Sequence, residues 1–221
     1  YERELRVADD IRNLAAMTPL KTHVNISEFM DRWQTEREFT LADKQREAVE
    51  KSLDSGLTVI TGGPGTGKTT VVKAIIALAE QEGLNILLCA PTGRAAKRLA
   101  ETTQRKAKTI HRLLGPAGYV GPHPLFDHNR DNPLEVDLII VDEVSMLDLE
   151  LTDCLLEALP GRCRCIFVGD ADQLASVGAG AVLHDIIRSE TVPVVRLDTI
   201  FRQQEGGLIV TNAHRINHGI M

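Results

Sequence analysis

The chain has 221 residues, a formal net charge of −6, 43% hydrophobic and 25% charged residues. That is enough for one sizeable α/β domain with an appendage, and ordinary for a soluble globular protein. It excludes long disorder, a bilayer-spanning apolar run and a protein that coats DNA by bulk positive charge.

The first residue is Tyr1 rather than Met, which reads as the start of an excised or processed piece, and no signal peptide is legible. A cytoplasmic setting, the bacterial cytosol, is expected. The four cysteines, Cys89, Cys154, Cys163 and Cys165, then read as buried thiols. Cys163 and Cys165 are read as facing opposite sides of a strand, and their spacing suits neither a zinc knuckle nor a redox pair.

Residues 1–40 show helical spacing of Leu5, Ile11 and Leu14, ended by Thr18-Pro19. Ser27 is expected to cap a short helix over 28–37 that carries Phe29, Met30 and Trp33. The segment reads as the helical tail of an upstream region. From residue 41 the rhythm changes. Helices are predicted over 42–54, 67–81, 93–104, 148–158 and 179–188. Strands are predicted over 57–61, 85–90, 137–142, 164–168 and 193–197. Strands that are apolar without alternation are buried on both faces, so a mostly parallel, doubly wound α/β sheet is expected over 41–221. Residues 115–136, rich in Gly and Pro, are expected to form a long loop or small hairpin of unassigned role.

Gly62-Gly63-Pro64-Gly65-Thr66-Gly67-Lys68-Thr69 follows a predicted strand and opens a helix. It fits G-x-x-x-x-G-K-[ST], a loop whose backbone N–H groups cradle phosphates. Glycines allow the required angles, and the helix N-terminus adds partial positive charge. Lys68 is expected to reach the β- and γ-phosphates, and the Thr69 hydroxyl a Mg²⁺ ion. Thr70 completes the candidate nucleotide contacts. Some 75 residues on, Leu138-Ile139-Ile140-Val141 ends in Asp142 and Glu143. Asp142 is expected to hold Mg²⁺ and Glu143 to polarise the water that attacks the γ-phosphate. No N-K-x-D motif supports guanine over adenine.

Residues 93–114 hold Arg94, Lys97, Arg98, Arg105, Lys106, Lys108 and Arg112 against Glu101 alone, 7 − 1 = +6. A solvated face and a nucleic-acid contact both fit such a run.

Five further stretches give the pattern its order: Ala90-Pro91-Thr92-Gly93-Arg94-Ala95-Ala96, Thr109-Ile110-His111-Arg112-Leu113-Leu114, Val141 to Asp148, Gly169 to Gly180, and Ile200-Phe201-Arg202-Gln203. With Asn212 to Asn217, these resemble the RecD-like branch of superfamily 1 DNA helicases, the exodeoxyribonuclease V alpha-subunit type, over residues 41–221. The resemblance implies a RecA-like three-layer sandwich, the first of two such motor domains, with ATP and Mg²⁺ as cofactors.

By position it also implies roles. Gln45 would read the adenine edge. Gln173 would sense the γ-phosphate, and Arg202 would contact it. Pro91, Thr92, Arg94, Thr109 and His111 would grip the backbone of single-stranded DNA. Ala175 stands where many relatives have Pro. An ATP-driven motor moving 5′→3′ on single-stranded DNA is implied, working as a monomer, with recombination or repair proteins as further partners and no membrane.

The second domain and its arginine finger are expected beyond Met221, so the chain alone is expected to bind ATP, hydrolyse it poorly and unwind nothing. Two other readings are a P-loop kinase or NTPase acting on a small molecule, and a nucleotide-gated adaptor without turnover. The Asp-Glu pair and the Gly169 to Gln173 stretch argue against the former, and the intact catalytic positions against the latter.

Overall fold

The computed structural model describes residues 1–18, 20–121 and 123–199. The strands among them are β1 (Leu57–Gly62), β2 (Ile86–Ala90), β3 (Ala107–Thr109), β4 (Pro116–Val120), β5 (His123–Phe126), β6 (Leu138–Val141), β7 (Arg164–Gly169) and β8 (Val194–Leu197). The helices are α1 (Glu2–Ala15), α2 (Ile26–Thr35), α3 (Asp43–Lys51), α4 (Lys68–Gln81), α5 (Gly93–Thr103), α6 (Ile110–Leu114), α7 (Leu149–Glu157) and α8 (Val182–Ser189).

Six strands form one sheet in the order β3-β2-β6-β7-β1-β8, and every pairing in it is parallel. Its apolar runs are buried because each face carries a core. On one side Val59, Ile139, Val141, Cys165 and Phe167 pack against α1, α6, α7 and α8. On the other, Ile60, Leu138, Ile140, Ile166 and Val168 pack against α2, α3, α4 and Leu99 of α5. The result is the three-layer sandwich expected from the continuous apolar strands.

Several expectations need correction. The sixth sheet strand, β3, was not foreseen. Its three residues, Ala-Lys-Thr, are too few and too polar to show a strand pattern, and it forms only one edge pairing, with β2. α6 was likewise missed, being only five residues long. The stretch 115–136 does contain the small hairpin that was one of its two expected forms, the antiparallel pair β4–β5. α2 starts at Ile26, and its cap is Asn25 rather than Ser27. Asn25 accepts from the backbone N–H of Ser27 and of Glu28, a geometry an amide oxygen reaches as readily as a hydroxyl. Cys163 and Cys165 share one core, because positions two apart along an extended chain point the same way. Burial pushes the Cys163 thiol up to about 12 and Cys154 to about 11, so both stay protonated thiols at neutral pH.

Residues 1–40 are integrated into both cores. Val7, Ile11 and Leu14 of α1 join the first, and Phe29, Met30 and Trp33 of α2 the second. Arg3 and Arg6 of α1 both donate to the buried carboxylate of Asp153 on α7, at 3.1 and 2.6 Å. The last turn of α1 and the chain after it pass so close to the residue preceding β1 that a Cβ on Gly56 would lie 2.3 Å from the Leu14 carbonyl oxygen and 2.5 Å from Met17 Sδ. Gly56→Ala is therefore expected to push α1 off the sheet, costing about 1–3 kcal/mol as overpacking does. Thermal melting should show a Tm lower by several degrees. An unchanged Tm would mean that the end of α1 gives way at Gly56 without cost.

Candidate nucleotide and nucleic-acid site

The loop between β1 and α4 is built by its glycines. Gly65 and Gly67 have φ of +83° and +84°, a region costly for residues with a Cβ. A Cβ on Gly62 would sit 2.7 Å from both the Leu197 carbonyl oxygen and Thr66 Oγ1. The Thr66 hydroxyl donates to the Gly63 carbonyl at 2.9 Å and holds the loop closed. Lys68, first residue of α4, folds its ammonium back onto the loop. It donates to the Gly63 carbonyl at 3.0 Å and also to that of Gly62. Burial lowers the Lys68 pKa, and the nearby carboxylates of Asp170, Glu143 and Asp142 oppose that shift. Pro64 and Thr69 are exposed at the loop mouth, while Thr70 is half-buried.

The carboxylates arrive from two neighbouring strands. Asp142 follows β6, and burial raises its pKa, partly countered by the Glu143 N–H donating to Asp142 Oδ1 at 3.0 Å. Glu143 has left-handed backbone angles, φ +56° and ψ +42°. Such a conformation costs a non-glycine residue about 1–3 kcal/mol and clusters at functional sites. Room for the turn after Glu143 comes from Gly169 at the end of β7. A Cβ there would approach the Val144 and Ser145 nitrogens to 3.3 Å. Lys68, Thr69, Asp142 and Glu143 line one cleft of about 40 Å³.

Gln173 links the ends of β6 and β7. Its amide donates to Asp170 Oδ2 at 3.4 Å and accepts from Ser145 Oγ at 3.3 Å. Gln45 is buried on α3. Its Oε1 accepts from the Ala42 N–H at 3.0 Å, and its Nε2 donates to the Thr66 carbonyl at 3.1 Å, tying the helix to the phosphate loop. In this arrangement the amide group already serves protein partners, so an adenine contact would use its second N–H and the second lone pair of Oε1. Arg202 and the 212–217 stretch lie outside the described residues.

The residues expected to grip DNA gather at the carboxyl edge of the sheet. Ala90 of β2 pairs with Thr109 of β3, which sets two helix starts side by side. Thr92 caps α5 by accepting from the Ala95 N–H, and Thr109 caps α6 by accepting from the Arg112 N–H, both at 3.2 Å. Pro91 is half-buried, while Arg94 and His111 are exposed. The His111 ring lies edge-on to Phe126, with centroids 5.9 Å apart. All seven cations of the 93–114 run are exposed. Three of them have acidic neighbours: Lys97 with Glu101, Arg98 with Glu143, and Arg105 with Glu80.

Two residues escaped the sequence reading. Asp170, 4% exposed, is the carboxylate that most strongly favours the charged form of Lys68. Its signal was legible, because a charged residue ends the apolar run of β7 just as Asp142 ends β6. Arg98 also lines the cleft, and nothing in its local sequence distinguished it from the other cations of α5.

The donor set fits Mg²⁺. Asp142 and Thr69 offer hard oxygen ligands, and no group of three or more His, Cys, Asp or Glu among the described residues could hold a metal by itself. Mg²⁺ typically takes only one or two protein carboxylates and completes its shell with phosphate oxygens and water. No helix of the described residues is long and apolar enough to cross a membrane.

Known proteins match this arrangement. The profile of the AAA domain family (AAA_30) matches residues 40–220. The ATP-dependent RecD2 DNA helicase of Deinococcus radiodurans is 41% identical over 98% of this chain, which spans 29% of that protein. The RecBCD enzyme subunit RecD of Mycobacterium tuberculosis is 48% identical over 66% of this chain, which spans 28% of that subunit. Among solved structures, two Pif1 helicases at forked double-stranded DNA align with TM-score 0.59 and 23% identity over 83% of this chain and 49% of theirs. Bacteroides Pif1 with ADP-AlF4 aligns with TM-score 0.54 and 22% identity, over 83% of this chain and 47% of its own. These structural likenesses show the RecA-like fold alone. The sheet, the nucleotide-binding loop and the profile agree: the chain belongs to the AAA domain family, and within it to the RecD-like kind.

Proposed function

We propose that residues 41–221 are the first of two RecA-like motor domains in an ATP-dependent DNA helicase, with 1–40 as the end of an upstream helical region. ATP with Mg²⁺ is hydrolysed to drive 5′→3′ movement on single-stranded DNA. The observation that carries this reading is the meeting of Lys68 and Thr69 with Asp142 and Glu143 in one cleft, while Thr92, Arg94, Thr109 and His111 line the neighbouring sheet edge.

The roles follow from chemistry. The loop amides and the Lys68 ammonium bind the phosphates. Thr69 and Asp142 would hold Mg²⁺, which would supply neutralisation of phosphate charge. Glu143 takes a proton from water as the water oxygen bonds to the γ-phosphorus and the bridging oxygen leaves with ADP. Gln173, joined to Ser145 and Asp170, registers whether the γ-phosphate is present. Gln45 and Arg202 complete the nucleotide contacts. Pro91, Thr92 and Arg94, with Thr109 and His111, contact backbone phosphates without reading sequence. As part of this reading the protein works as a monomer in the cytosol, with repair or recombination proteins as further partners.

The deciding measurement is steady-state ATP hydrolysis by the full-length protein with and without a poly-dT oligonucleotide. Turnover is expected to rise on adding the oligonucleotide. A rate indifferent to DNA would overturn the helicase reading and favour a small-molecule NTPase.

A further inference from the structure

Arg98 belongs to α5, whose first turn holds the proposed DNA contacts Thr92 and Arg94, yet it lines the cleft with Lys68 and Glu143. Its Nη1 lies 3.8 Å from Glu143 Oε1. The Arg98 side chain is 66% exposed and that of Glu143 25%, so the arginine can swing into water while the glutamate stays in the cleft. Arg94 and Arg98 are four residues apart, so they share one face of α5. The first half of α5 is held by Ala95 and Ala96, which form a small cluster with Ala90, while the larger Leu99 packs into the main core further along. Small side chains bury less apolar area and anchor the start of the helix less firmly.

A general base needs its carboxylate oxygens free for water. A guanidinium alongside competes for them. We infer that Arg98 is a positioning residue that holds Glu143 away from water until single-stranded DNA loads the first turn of α5. A nucleic-acid phosphate at Thr92 and Arg94 then draws α5 and Arg98 outward, and Glu143 turns to the water beside the γ-phosphate. Arg98 thereby makes hydrolysis depend on DNA. The inference rests on the proposed helicase reading and adds the device that couples its two sites.

The test compares Arg98→Ala, Arg98→Lys and the native full-length protein in ATP hydrolysis with and without poly-dT. Arg98→Ala is expected to raise the DNA-free kcat about two- to fivefold, the range released by breaking an exposed ion pair. The ATP KM and the DNA-saturated kcat should stay near native, so the stimulation ratio falls by the same factor. Arg98→Lys, which keeps a cation near Glu143, is expected to restore most of the ratio. A lowered kcat with a raised ATP KM in Arg98→Ala would overturn the inference and make Arg98 a direct phosphate ligand. Unchanged rates would overturn it too, leaving a surface ion pair without function. If the native protein shows no DNA stimulation, the helicase reading itself fails. Stimulation in the native protein with an unaltered ratio in Arg98→Ala defeats only the coupling.

Discussion

Lys68→Ala is expected to all but abolish nucleotide binding while leaving the fold intact. The Lys68 ammonium is the charged donor at the start of α4 and is held at the loop by the Gly62 and Gly63 carbonyls. Burial already makes its charged form less favourable, so a polyanionic ligand would gain much from pairing with it. Removing one partner from such a buried charged pair costs about 2–5 kcal/mol. That is a weakening of roughly thirty- to several-thousand-fold in Kd. Titration calorimetry with a slowly hydrolysed ATP analogue and Mg²⁺ measures it, with circular dichroism as the folding control. A Kd within threefold of native would place the phosphates elsewhere, and the loop assignment would not survive.

Glu143→Gln should separate binding from chemistry. Glutamine keeps the size of glutamate and its capacity to accept a hydrogen bond, but it cannot take a proton from water. Nucleotide affinity is expected to stay within a few-fold of native, while DNA-stimulated turnover of the full-length protein falls about 10²–10⁴-fold, the usual contribution of a general base. The strained backbone at Glu143 strengthens the expectation, because φ of +56° is retained only where neighbouring structure enforces it. Turnover surviving in Glu143→Gln would move the base to another carboxylate, with Asp170 the first alternative because it also lies near Lys68. Since Arg98→Ala is expected to raise DNA-free turnover and Glu143→Gln to lower it, the two variants report on opposite states of one carboxylate.

Much of the site was legible because its chemistry is local in sequence. Eight consecutive residues make the phosphate loop, and two end an apolar strand. The five strands announced themselves through runs rich in Val, Ile and Leu without polar alternation. What escaped was either short or long-range. β3 carries a single apolar residue in three positions and gains strand geometry only from pairing with β2. The approach of Arg98 to Glu143 spans 45 positions, 143 − 98, and follows from the placement of α5 against the turn after β6. The tie between Gln45 and the Thr66 carbonyl likewise joins distant segments. Asn25 took the cap from Ser27 because which side chain reaches the free N–H groups depends on where the chain enters the helix.

The strand order bears on how the molecule is assembled. β1 carries the nucleotide loop at its end, yet its two neighbours are β7 and β8, and Leu57 pairs with Cys165, a separation of 165 − 57 = 108 residues. During synthesis the segment 57–62 emerges long before either neighbour, with both hydrogen-bonding edges exposed. Parallel pairing across such distances is slow, and unpaired edges invite association with other chains. The nucleotide pocket is thus among the last parts to close, so ligand capture reports completion of the sheet rather than its nucleation.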